Sequence, residues 1–92
     1  MIVTITGPAV HRCPYRDELD VGTFRIEYDL DCEPIELHAL AEQVRSYTDR
    51  KMTHEEFTED LGEWLGDREA TVATVTTEWQ TAGLGVRCVT RL

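Results

Sequence analysis

The sequence predicts an α+β fold: a four-stranded antiparallel sheet covered on one face by two helices, in the order strand, strand, helix, helix, strand, strand. Three observations predict it. Residues 23–28 alternate apolar and polar, two stretches between residues 34 and 66 carry apolar residues at helical spacing, and the last quarter is rich in valine and threonine. The chain has 92 residues, 41% of them hydrophobic, enough for one core and too few for two. A single domain over 1–92 is expected.

The first strand is read at Ile2-Val3-Thr4-Ile5-Thr6, β-branched throughout and closed by a turn at Gly7-Pro8. After a polar loop, Phe24, Ile26 and Tyr28 share one face of a second strand, and Thr23, Arg25 and Glu27 share the other. Pro34 suits a first helical turn, and Leu37, Leu40, Ala41, Val44 and Tyr47 then mark an amphipathic helix over about residues 34–48. Thr53-His54-Glu55-Glu56 has the form of a capping box. The threonine hydroxyl takes one free backbone N–H and Glu56 reaches back to another. The helix it opens carries Phe57, Leu61, Trp64 and Leu65 inward and is expected to stop at Gly66. Residues 69–79 and 84–91 then pair as a hairpin across Thr81-Ala82-Gly83. Such a sheet leaves two edge strands, and oligomerisation through them is the economical way to cover both.

The totals exclude several classes. No run approaches the roughly 20 apolar residues of a membrane span, and the N-terminus lacks a basic start followed by a long apolar core, so a cytoplasmic protein is expected. Cys13, Cys32 and Cys88 cannot all pair with one another and form no CxxC pattern; reduced thiols are expected, with Cys32 and Cys88 as small buried hydrophobes. His11, His38 and His54 are scattered in sequence, and no metal is expected. A formal charge of −9 disfavours nonspecific binding to polyanions, although Arg12 and Arg16, with Arg45, Arg50 and Lys51, could form a local basic patch. Trp64 is read as core. Trp79 is left between core and interface.

One loop carries the chemistry. The thiolate is the reactive form of cysteine, cations beside a thiol favour it, and a carboxyl nearby can shuttle the proton. His11 and Arg12 precede Cys13, and Asp20 lies beyond a loop that could fold it back against the sulfur. Taken by itself, such a cysteine is more often a small apolar residue at a strand end, and His54-Glu55 more often the first turn of a capped helix.

The run Cys13-Pro14, Asp20, Gly22-Thr23 and Ile26-Glu27-Tyr28 resembles the active-site segment of the 7-cyano-7-deazaguanine reductase family, the nitrile reductases of queuosine synthesis. Val3-Thr4-Ile5-Thr6 upstream is similar to that family's preceding strand, and Glu36, Ser46-Tyr47 and His54-Glu55 fall at the spacing of its middle region. The resemblance implies a tunnelling fold, or T-fold, assembled as an oligomeric barrel, a homo-oligomer such as a pentamer or decamer. It implies Cys13 as the nucleophile that forms a thioimide with the nitrile carbon, and Asp20 as the general acid/base. His54, Glu55 and Glu36 are implied as substrate-binding residues.

The likeness breaks at the cofactor motif. Glu36-Leu37-His38-Ala39-Leu40-Ala41 aligns with a stretch that carries two lysines in the reductases, and His38 and Ala41 stand in their places. The late Arg-Gly-Gly element of the reductases is Ala82-Gly83-Leu84 here. NADPH phosphates would lose fixed cationic partners, so no cofactor is expected. A short amidinotransferase branch of the family keeps the cysteine, aspartate and base-binding residues without that motif. There, ammonia is the second substrate and attacks the thioimide, converting the 7-cyano group into the 7-formamidino group of archaeosine. The resemblance implies that reaction here, with 7-cyano-7-deazaguanine carried in tRNA or DNA and ammonia supplied directly or by a separate amidotransferase. An NADPH-dependent nitrile reductase and a non-catalytic T-fold module that binds deazapurines are the alternatives.

Overall fold

The computed structural model describes residues 1–29, 34–67 and 72–91. Its elements follow the expected order: β1 (Ile2–Arg12), β2 (Leu19–Asp29), α1 (Leu37–Ser46), α2 (His54–Gly66), β3 (Val72–Thr81) and β4 (Leu84–Arg91). The strands form one antiparallel sheet in the order β1-β2-β3-β4, so β1 and β4 are its edges. Buried residues alternate along β2, whereas Val75, Thr76 and Thr77 of β3 are buried in succession. Phe24, Ile26 and Tyr28 of β2 and Val75, Thr77 and Trp79 of β3 face the helices, which cover them with Leu40, Val44, Phe57, Leu61 and Leu65. Trp79 therefore belongs to the core, and Trp64 packs against the core while partly exposed.

Four local expectations are corrected. β1 does not turn at Gly7-Pro8 but continues to Arg12, with Pro8 opposite Thr23. An edge strand tolerates proline because every second N–H points away from its single neighbour. Gly7 serves packing rather than turning: a Cβ there would lie 2.7 Å from the Phe24 ring. Helix α1 begins at Leu37 rather than near Pro34, because the Glu36 carboxylate caps it, accepting from the N–H groups of His38 at 3.0 Å and Ala39 at 2.6 Å.

In α2, the Thr53 hydroxyl accepts from the Glu56 N–H at 3.1 Å as expected. The Glu56 carboxylate, however, accepts from the Thr53 hydroxyl at 3.2 Å rather than from a backbone N–H. Gly66 remains helical and Asp67 is the C-cap in right-handed conformation, so the stop is not a left-handed glycine. The final hairpin turns on two residues, Ala82 at φ 55° and Gly83 at φ 75°; positive φ at both is the type I′ turn that matches strand twist. Residues 69–71 of the expected third strand lie outside the described residues, as does Cys32.

Candidate active site

The β1–β2 register sets His11 opposite Asp20. Both point to the helix side of the sheet, at the end where the β1–β2 loop begins, and both are buried. The neighbouring cross-strand row runs Ala9, Gly22, Trp79. Gly22 is required there: a Cβ would meet the Glu78 carbonyl oxygen at 2.1 Å and the Trp79 indole at 2.7 Å. Cys13 follows β1 directly, and its N–H closes the loop onto the Glu18 carbonyl at 2.9 Å.

The free edge of β1 positions the other half of the site. The Arg12 N–H donates to the Arg50 carbonyl at 3.0 Å and the Met52 N–H donates to the Arg12 carbonyl at 3.2 Å, a short parallel bridge centred on Lys51. This anchors the connection between the helices, so that the Thr53 cap delivers His54 and Glu55 over the cysteine loop. The Arg12 guanidinium fastens the same junction, bonding Asp17 at 3.0 Å and Asp49 at 3.2 Å.

The result is a cleft of about 380 Å³ lined by His11, Cys13, Asp20, His54, Glu55 and Thr81, among others. Cys13 and Asp20 are 8% and 7% exposed, His54 is half-buried and Glu55 is exposed at the rim. A thiol and a carboxyl are thus withdrawn from bulk water in one small cleft.

The imidazoles form a chain. His11 Nδ1 lies 3.2 Å from the Arg12 carbonyl, His11 Nε2 lies 2.8 Å from His54 Nδ1, and His54 Nε2 lies 3.0 Å from the Thr81 hydroxyl. The Asp20 carboxylate stands 4.0 Å from His11 Nε2. His54 also stacks flat on Trp79, with centroids 4.6 Å apart at 11°. Burial pushes the His54 imidazole below its ordinary pKa and His11 adds to the shift, while Asp20 and Glu55 pull against it.

A second chain holds the indole under His54. Trp79 Nε1–H donates to the Thr77 hydroxyl at 2.9 Å, Thr77 lies 2.6 Å from the Thr58 hydroxyl, and Thr58 donates to the His54 carbonyl at 2.8 Å. Its direction is fixed because an indole only donates and a carbonyl only accepts.

The ligand atoms of His11, Asp20 and His54 lie within 4.8 Å of one another, a donor set that could hold a divalent metal. The imidazole pair stands closer than two ligands of a tetrahedral zinc in this arrangement. Its nitrogens are 2.8 Å apart, a hydrogen-bond distance, whereas tetrahedral zinc with bonds of about 2.0–2.1 Å holds its ligands roughly 3.3 Å apart.

Cys13, Asp20, His54 and Glu55, predicted as site residues, thus come together. Glu36 does not join them within one chain; it caps α1, and its two backbone N–H donors, with His38 beside it, hold its carboxyl below the usual range. His11 was expected only as a neighbour of Cys13, and Thr81 only as a turn residue. Alternation carries a signal for His11 once β1 is extended through Pro8, since it then shares the inward face with Ala9. The basic patch is partly neutralised: Arg12 is paired as above and Arg50 lies 3.7 Å from Asp60. Among the described residues, no helix is long and apolar enough to cross a membrane.

Fold and cleft together define a T-fold protein with a buried cysteine and carboxyl at the end of its sheet. Among solved structures, an archaeosine synthase QueF-like, in the apo form, superposes on this chain with a TM-score of 0.87, covering 97% of this chain and 90% of its own at 23% identity. The two share the ββααββ fold. No family model matches the sequence, and no curated protein does.

Proposed function

We propose that the protein is an amidinotransferase that converts the nitrile of 7-cyano-7-deazaguanine into a formamidine with ammonia, through a thioimide on Cys13. The observation that carries the reading is the convergence of Cys13, Asp20, His54 and Glu55 on one cleft of about 380 Å³, within the roughly 300–1,000 Å³ typical of small-molecule sites. The shared fold with an archaeosine synthase QueF-like supports it.

The Cys13 thiol gives its proton to Asp20 as the sulfur adds to the nitrile carbon, and Asp20 passes one proton to the nitrile nitrogen, giving the thioimide. Ammonia then adds to the same carbon, the C–S bond breaks, and the proton lost from nitrogen leaves with the thiol; the product is the amidine. No electrons are gained or lost, so no hydride donor enters. Glu55, at the rim, accepts from the ring N–H and the exocyclic amine of the base.

Intact-protein mass spectrometry with the free nitrile, and with the nitrile in tRNA and in DNA, tests this. The expected result is a covalent adduct that requires Cys13 and is discharged to amidine by ammonium but not by NADPH. Turnover that survives Cys13→Ala refutes the covalent mechanism, discharge by NADPH would establish the reductase, and binding without any adduct would leave a non-catalytic module.

A further inference from the structure

We infer that His11 is a positioning residue for the cleft: it fixes the tautomer of His54 so that His54 Nε2 is presented without a proton, ready to accept from whatever displaces Thr81. This deepens the amidinotransferase reading and rests on it for its catalytic consequence. The geometry stands on its own.

The Arg12 carbonyl can only accept, so His11 Nδ1 carries a proton and donates to it at 3.2 Å. With the pair neutral, His11 Nε2 is then bare and accepts from His54 Nδ1–H across 2.8 Å. That leaves His54 Nε2 as an acceptor, filled by the Thr81 hydroxyl at 3.0 Å. The orientation is set from the backbone outward, much as a buried partner sets the tautomer of a catalytic imidazole. His11 itself, at the wall of the cleft, is fully buried, edge-on to Trp79 at 4.8 Å and near Phe57.

A consequence follows for chemistry. A group that meets His54 in the cleft must bring an N–H or O–H donor, as a ring N–H, an imine, an amine or ammonia does. The hydrogen bond between His54 and His11 also links the cleft to the buried carboxylate, since His11 Nε2 stands 4.0 Å from Asp20. The ionisable groups facing His54 are His11 from β1, Asp20 from β2 and Glu55 from its own helix, with Cys13 in the same cleft.

Imidazole ¹⁵N NMR with long-range ¹H correlation, on the unliganded protein and on His11→Phe and His11→Gln, tests the inference. The wild type should show His54 as the Nδ1–H tautomer. His11→Phe, which removes the acceptor, should move His54 toward the Nε2–H form, while His11→Gln, whose amide oxygen can accept, should restore Nδ1–H. Turnover should fall on the order of 10- to 100-fold in His11→Phe with KM little changed, and recover in His11→Gln. A wild-type His54 in the Nε2–H form, or a tautomer unchanged by His11→Phe, overturns the inference. If His11→Phe does not fold, the wild-type and His11→Gln spectra decide it. A correct tautomer in a protein that never forms the Cys13 adduct refutes the proposed reaction and leaves the positioning role intact.

Discussion

Replacing Gly22 by alanine should be among the most damaging one-carbon changes in the chain. The added Cβ would stand 2.1 Å from the Glu78 carbonyl oxygen and 2.7 Å from the Trp79 ring. An ordinary carbon-to-oxygen contact is about 3.3 Å or more, so β2 and β3 must separate locally by roughly 1 Å. The obstacle is backbone, and no rotamer relieves it. Weakening two ladder hydrogen bonds at about 0.5–1.5 kcal/mol each, together with an overpacking cost of about 1–3 kcal/mol, gives a loss of roughly 4 kcal/mol. With a urea slope of about 1–2 kcal/mol/M, the unfolding midpoint should fall by about 2–4 M. Because the indole supports His54, adduct formation should slow even where the variant is folded. Gly66→Ala is the control. Nothing lies within 4 Å of a Cβ there, and a helical glycine-to-alanine change should gain about 0.5–1 kcal/mol. Gly7→Ala should fall between the two, since the obstructing Phe24 atoms belong to a side chain. A Gly22→Ala protein within about 0.5 kcal/mol of its parent would refute the reasoning.

Three further outcomes are expected. Ala82→Asn should stabilise the hairpin by about 0.5–1 kcal/mol in thermal melts, because Ala82 holds φ 55° and Asn-Gly is a preferred type I′ pair; a lower midpoint would contradict the turn. Because burial depresses the His54 pKa in the folded state, the unfolded chain binds the proton more readily, so the His54 contribution is fully present above about pH 6.5 and is lost as pH falls through the lowered folded value. Melts from pH 7.5 to 5 should therefore decline more steeply for the parent than for His54→Gln, and equal slopes would count against this. Thr77→Val strands the Trp79 N–H and breaks the hydroxyl chain to the His54 carbonyl. It should cost about 1–3 kcal/mol in urea unfolding, and an isoenergetic variant would show that the chain contributes nothing.

Much of this molecule was legible in its sequence because two periodicities and a few turn residues specify local structure. Phe24, Ile26 and Tyr28 set the burial of β2, Leu40 and Val44 that of α1, and Thr53 the start of α2, each through contacts a few residues away. The resemblance placed Cys13, Asp20, His54 and Glu55 in one site before any distance was known. What only the tertiary structure decided depends on which strands lie side by side. An edge position let β1 run through Pro8, which put His11 inside, and the register then set it against Asp20. The bridge from Arg12 to residues 50–52 brought His54 within 2.8 Å of a histidine 43 positions earlier in the chain. Within one chain Glu36 is a helix cap, because the free N–H groups nearest its carboxylate are those of His38 and Ala39 in the first turn of α1. Local pattern fixes which face a side chain takes, whereas the partner it meets there is chosen by strand register and by the free hydrogen-bonding groups of an edge.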